Sequence, residues 1–359
     1  MVDDTSPENQ NYGRRSELSE DGEPHSDARS STRGTVKDVA NFKAEEDVSA
    51  LRKAIEGIGT TEKTLIEVLT QRSNAQRQLI AKAYEKATGR TLVADLEGDT
   101  HGDFEDLLVA LVTPPALYDC REVIGAIKDR VKAKIRHCFQ GAGTTESTLT
   151  EIFASRTNAQ IRALSEAYIA ETGKSLIQDL QSEVSGDYGK ALLILAEGKR
   201  DESPNVDSAK AKADAKALYE AGEKKWGTDE GKFIDILCHR SIPQLRQTLI
   251  EYKNISKKTL QESIKSEMSG DLEKLLVAMV KCVTNVPAYF AERLFKSMKG
   301  AGTTESILTR ILASRSEIDL LDIRAEYKKL FGCSLYSQLE SEVSGNYGDA
   351  LKRLCGQDD

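Results

Sequence analysis

Apolar residues along this chain recur at helical spacing. Leu65, Val68 and Leu69 fall at i, i+3 and i+4, and Leu149, Ile152 and Phe153 repeat the figure later in the chain. The stretch NAQRQLIAKAYEKATG (74–89) predicts a helix running from an Asn cap to a terminating Gly. LVADLEG and, after it, DFEDLLVALV predict a short helix and a longer one. Alternating runs, Asn-Gly hairpins and β-branched clusters are nearly absent, so strands are not expected. The pattern predicts an all-α protein, built from units of about five helices each.

The units are copies of one another. GAGTTES at 141–147 returns letter for letter at 300–306, and SEVSGDYG (182–189) is answered by SEVSGNYG (341–348). EGIGTTE and KKWGTDE supply two more copies of the loop. With Gly59, Gly143, Gly227 and Gly302 as origins, Thr60, Thr144, Thr228 and Thr303 stand at +1. Arg72, Arg156, Arg240 and Arg315 stand at +13, and Tyr84, Tyr168, Tyr252 and Tyr327 at +25. An acid stands at +40 (Asp99, Glu183, Glu267, Glu342) and a glycine at +43 (Gly102, Gly186, Gly270, Gly345). The units are about 70 residues long, beyond the common solenoid periods.

Composition narrows the class. Of 359 residues, 39% are hydrophobic and 30% charged, the balance of a well-solvated globular protein. No apolar run approaches the ~18 residues of a membrane span, and the N-terminus lacks the apolar core of a signal peptide. That leaves a cytoplasmic protein, with secretion by an unconventional route to the cell surface left open. Residues 1–33, acidic and nearly free of aliphatics, are expected to form a disordered tail. Cys120, Cys138, Cys238, Cys282, Cys333 and Cys355 hold unrelated places in the repeats, which argues for reduced thiols rather than a disulfide framework or zinc site.

A glycine-rich turn by itself needs no function, since glycines end helices and threonines begin them. A cap, however, has no reason to fix an acid 40 residues away in four copies. A second connection folded back beside the first does. Glycines let several peptide carbonyls turn toward one point. With one carboxylate the ligand set is all oxygen and carries a single negative charge. That suits Ca²⁺, which takes six to eight oxygens flexibly, better than Mg²⁺. Zinc or copper would want His or Cys at repeating positions, and neither recurs.

The repeated [Met/Phe]-x-Gly-x-Gly-Thr-x-Glu pattern with its distant acid resembles the annexin core. MKGAGTTE (298–305), the third-repeat variant AGEKKWGTDE (221–230) and the ending LCGQDD carry the likeness, which covers roughly 34–359. It implies four repeats forming one curved disc: repeat I over 34–112, repeat II over 113–195 with an inserted helical connector, a linker at 196–205, repeat III over 206–283 and repeat IV over 284–359. It implies Ca²⁺ as cofactor and acidic phospholipid, such as phosphatidylserine, as partner, with the protein peripheral on membranes when calcium is present. The implied carbonyl ligands are Ile55, Gly57 and Gly59; Phe139, Gly141 and Gly143; Gly222, Lys225 and Gly227; and Met298, Gly300 and Gly302. The implied side-chain ligands are Asp99, Glu183, Glu267 and Glu342. A weaker ion beside the first loop would involve Thr60 and Glu62.

Two features depart from the family pattern. Asp99 is one methylene shorter than its counterparts, so repeat I is expected to hold its ion less well. Between Asp99 and Gly143 the chain carries about a dozen extra residues. CREVIGAIKDRVKAKIRHCF (120–139) has apolar residues at 124, 127, 131, 135 and 138, which predicts an added or lengthened helix, roughly 18 Å of it new. It is expected to lie on the core, and it or the tail is a candidate contact for a protein partner.

Charge supplies a switch. At a formal net charge of −8 the protein should be repelled by anionic lipid until calcium adds positive charge at the loops. Trp226, the only tryptophan, stands inside the repeat III loop, where an exposed indole suits the headgroup layer. The recurrent arginines are expected inside helices as buried structural partners, and the tyrosines as packing residues. Catalytic signatures (G-x-S-x-G, H-E-x-x-H, the P-loop) are absent, so no enzyme is expected. A calcium-gated cation-conducting path at the polar centre, lined by Asp119, Glu122, Arg156 and Arg315, is the competing function. A buried salt-bridge network joining the modules is the favoured reading of those four.

Overall fold

The computed structural model describes residues 32–57, 61–136, 142–223, 227–300 and 302–358, with the backbone alone at 133–136 and 142–145. Nearly all of the expected tail, and Gly59, Thr60, Phe139, Gly141, Lys225 and Trp226, lie outside the described residues. Within them there are twenty helices and no strand. The first five are α1 (Ala44–Glu56), α2 (Glu62–Thr70), α3 (Asn74–Thr88), α4 (Leu92–Asp99) and α5 (Gly102–Val112). The second set is α6 (Pro115–Arg136), α7 (Ala142–Ser155), α8 (Asn158–Thr172), α9 (Leu176–Glu183) and α10 (Gly186–Ala196). The third is α11 (Ser208–Ala221), α12 (Glu230–His239), α13 (Ile242–Ser256), α14 (Leu260–Glu267) and α15 (Gly270–Thr284). The fourth is α16 (Val286–Met298), α17 (Glu305–Arg315), α18 (Leu320–Phe331), α19 (Leu335–Glu342) and α20 (Gly345–Cys355).

Local chemistry explains the shared boundaries. α3 begins with a capping box, in which the Ser73 hydroxyl accepts from the Gln76 N–H and the Gln76 side chain reaches back. The cap is therefore Ser73 and not Asn74, which is the first helical residue. α3 ends at Gly89 (φ 74°), in the left-handed conformation that glycine adopts without strain. The +43 glycines open the fifth helix of each unit at φ 66°, 66°, 72° and 65°, which accounts for their recurrence.

The buried side chains form two clusters, one drawn from units one and four together with Ala278 and Cys282 of α15, the other from units two and three. The four +25 tyrosines sit in these cores at 0–2% exposure. Tyr84 and Tyr168 also donate to Asp95 at 2.6 Å and Asp179 at 2.7 Å. Each buried ring stabilises the fold by roughly 1.5–3 kcal/mol.

The expected lengthened helix is α6. It runs for 22 residues where α1 and α16 have 13 and α11 has 14. α1 stops at Gly57 and α11 at Gly222, but α6 has Lys128 and Asp129 at the comparable turn and nothing to break it. Ile127 is buried at that point, so the helix stays against its core as it continues.

Candidate metal centres

The +40 acids share one placement. Asp99, Glu183, Glu267 and Glu342 are each the last residue of a helix, α4, α9, α14 and α19. A helix C-terminus already carries about half a negative charge, so a carboxylate there is unfavourable without a nearby cation. Asp99 and Glu342 are exposed, while Glu183 and Glu267 are half-buried.

The glycine loops have a common closure. The +2 backbone N–H turns back to the end of the preceding helix: Thr61 to the Ala54 carbonyl at 3.1 Å, Asp229 to Ala221 at 2.9 Å, Thr304 to Ser297 at 2.8 Å. Thr61, Asp229 and Thr304, rather than the +1 threonines, are then the N-caps of the next helices. Gly227 (φ 83°), Gly300 (φ 122°) and Gly302 (φ 144°) take conformations that side chains resist. The carbonyls of Gly57, Gly222, Gly227, Gly300 and Gly302 accept no hydrogen bond from any described residue. In repeat III the loop touches the acid's turn directly, because the Thr228 hydroxyl donates to the Glu267 backbone carbonyl at 3.2 Å. In repeat IV the link is Tyr347, whose hydroxyl donates to the Glu305 carbonyl at 2.9 Å. Glu62 and Asp99 line one cleft of about 310 Å³. Met298 and Ile55 sit at helix ends, buried, with their backbones leading into the loops.

The donors that the described residues offer suit a hard divalent cation: glycine carbonyl oxygens with no described hydrogen-bond donor and a carboxylate, with His101 also lining the repeat I cleft. Among the described residues no group of three or more His, Cys, Asp or Glu could hold a metal by side chains alone. Any ion here must take most of its ligands from the backbone.

The annexin family model matches the chain four times, over residues 46–111, 130–195, 213–279 and 289–354. Human annexin A3 is 54% identical over 327 residues, 91% of this chain and 98% of its own length. Human annexin A4 is 48% identical over 326 residues, with the same coverage. Among solved structures, annexin III superimposes with a TM-score of 0.85 at 54% identity, covering 91% of this chain and 98% of that one. Chicken annexin V gives a TM-score of 0.82 at 46% identity, covering 91% and 100%. This chain belongs to the annexin family.

Its annexin repeats are joined by ion pairs. Of the +13 arginines, expected inside helices, Arg315 is the last residue of α17 while Arg72, Arg156 and Arg240 lie just past helix ends, and all clamp an acid of their own repeat. Arg72 holds Asp47 at 2.7 and 2.9 Å, Arg156 holds Asp119 at 2.8 and 2.9 Å, and Arg240 holds Asp214 at 2.8 and 3.2 Å. Arg315 instead takes Asp319 and lies over the Phe290 ring. Between repeats II and IV, Glu151 accepts from Arg310 and Arg293, while Arg310 also donates to Glu122 at 2.7 Å. Burial pushes the Glu151 carboxyl up, but Arg310 and Arg293 outweigh it and hold it down at about 2. Asp119, Glu122, Arg156 and Arg315 are thus all engaged in pairs, but of the four only Glu122, through Arg310, joins two repeats, while the Arg156–Asp119 and Arg315–Asp319 pairs each lie within one. Glu151, Arg293 and Arg310 were missed from sequence. The available signal was position +8, which is Glu151 in repeat II and Arg310 in repeat IV, opposite charges at equivalent places.

Repeat II is built differently. α7 begins at Ala142, so Gly143 lies in its first turn and not in a loop before it. The +3 glutamate, Glu146, is buried and paired with Arg130 of α6, whereas its counterparts Glu62, Glu230 and Glu305 are half-exposed.

Proposed function

We propose that this annexin binds acidic phospholipid membranes in a calcium-dependent manner. The ions sit at the loops of repeats I, III and IV and are completed by lipid phosphate. The ligands would be the carbonyls of Ile55, Gly57 and Gly59 with Asp99; of Gly222, Lys225 and Gly227 with Glu267; and of Met298, Gly300 and Gly302 with Glu342. Thr60 and Glu62 would serve a weaker neighbouring ion. One observation carries this reading. Carboxylates end α4, α14 and α19, and the carbonyls of the described loop glycines accept no hydrogen bond from any other described residue.

A single carboxylate per site gives weak affinity for the ion alone. Phosphate oxygens complete the coordination, so ion and membrane bind cooperatively, and several sites acting together make attachment firm. The net charge of −8 keeps the protein off anionic surfaces without calcium. The protein is then cytoplasmic and peripheral on membranes, organising them without turnover.

Co-sedimentation with phosphatidylserine vesicles across free calcium tests the reading. Binding should appear with calcium, vanish with chelator, and fail on phosphatidylcholine alone. Equal binding in chelator would refute it.

A further inference from the structure

Arg130 occupies the candidate centre of repeat II. Its Nε donates to the backbone carbonyl of Glu183 at 3.0 Å, and its other end pairs with the buried carboxylate of Glu146. In repeat III the carbonyl of the +40 residue is taken instead by the loop threonine, Thr228. A guanidinium therefore stands at the negative end of α9, whereas among the described residues of the other repeats no cationic side chain donates to the +40 carbonyl.

The extra chain delivers it there. Arg156 and Asp119 are separated by 37 residues, whereas Arg72 and Asp47, the same clamp in repeat I, are separated by 25. The additional segment thus lies between Asp119 and Arg156. α6 overruns the turn at which α1 stops, and Arg130 is on that overrun. The start of the next helix differs as well. With Gly143 in the first turn of α7, its carbonyl points along the helix and not toward a shared ion. The described residues of repeat II do not fit the calcium set of the others.

We propose that the inserted segment has converted the repeat II centre from a calcium site into a closed ion pair, with Arg130 as a permanent internal cation. The chain then binds one calcium ion fewer, at membrane-dependent sites, than an uninterrupted four-repeat core. This rests on the calcium reading of the other repeats. A guanidinium at the α9 terminus repels a divalent ion and leaves no need for one. The corner holding repeat II is held together at all calcium concentrations, and lipid attachment falls to repeats I, III and IV.

The full-length chain, with phosphatidylserine vesicles and radiolabelled calcium, provides the test. Glu183→Gln should leave both the number of bound ions and the half-maximal calcium for co-sedimentation unchanged, within about 1.5-fold. Glu342→Gln should remove an ion and raise the calcium requirement several-fold. Deleting residues 125–136 restores the repeat I spacing, and Glu183→Gln in that background should then cost an ion. Should the deletion fail to fold, the comparison of Glu183→Gln with Glu342→Gln in the intact chain decides alone. Loss of an ion in intact Glu183→Gln overturns this inference while leaving the calcium reading in place. A chain that binds no calcium at any repeat overturns the calcium reading and this inference with it.

Discussion

Glu151 and Arg310 meet through two hydrogen bonds of 3.0 Å, although 159 residues separate them. They hold the same place in repeats II and IV. Duplication gave each repeat this position on a helix, and opposite charges there let one repeat recognise another across the middle of the core. With Arg293 at 2.8 Å from the same carboxylate, Glu151 is the anchor of the network.

Removing that anchor should be costly. Glu151→Ala leaves Arg310 buried at 2% exposure with its main partner gone, a loss of about 3–5 kcal/mol. Replacing both Glu151 and Arg310 by Met should cost much less, because no charge is then left without a partner. Urea unfolding of the single and double variants checks this, and equal losses would show that the pair does not act as a unit.

The same carboxylate sets an acid limit. Its folded value is depressed to about 2, so its stabilisation is fully present above the unfolded value of about 4.3 and is lost as pH falls through 2. The stability gap between the wild type and Glu151→Gln should stay constant from neutral pH down to about 5, then narrow. A gap that changes between pH 8 and 6 would assign the effect to another group.

Lys257 ends α13 at φ 66°, where the equivalent residues are Gly89, Gly173 and Gly332. Its side chain strains a left-handed position that glycine takes freely. Lys257→Gly is therefore expected to stabilise the fold by about 1 kcal/mol. Denaturant titration would expose the error if the variant were less stable.

Thr228 couples the repeat III loop to the Glu267 turn. Thr228→Val keeps the shape and removes the donor, worth about 1 kcal/mol, or roughly fivefold in the calcium required at this site. Thr303→Val, in repeat IV, should not alter the repeat III response.

Trp226, the only tryptophan, stands between Lys225 and Gly227, two of the proposed carbonyl ligands. Calcium closing on them should change its fluorescence, and a headgroup-depth quencher in vesicles should dim it only with calcium. Glu267→Gln should abolish the response and Glu342→Gln leave it largely intact. Emission indifferent to calcium and quencher would remove Trp226 from the membrane face.

Local features of the chain settled most of the secondary structure. Apolar spacing, the capping box at Ser73 and terminal glycines such as Gly89 act within a few residues, so all-α character and five helices per repeat were legible. The +40 acids were legible for another reason: four copies turn a long-range relationship into a visible interval. The run from Ile124 to Val131 likewise announced a longer α6. What that helix does at its far end was not legible. Arg130 reads as one cation in a basic run, and only packing brings it to the carbonyl of Glu183 and the carboxylate of Glu146. Glu151, Arg293 and Arg310 were hidden in the same way, since each looks like an ordinary charged helix residue until repeats II and IV meet. Short-range hydrogen bonds and apolar periods are written along the chain, whereas the partner of a buried charge is chosen by whichever helix the tertiary fold sets opposite it.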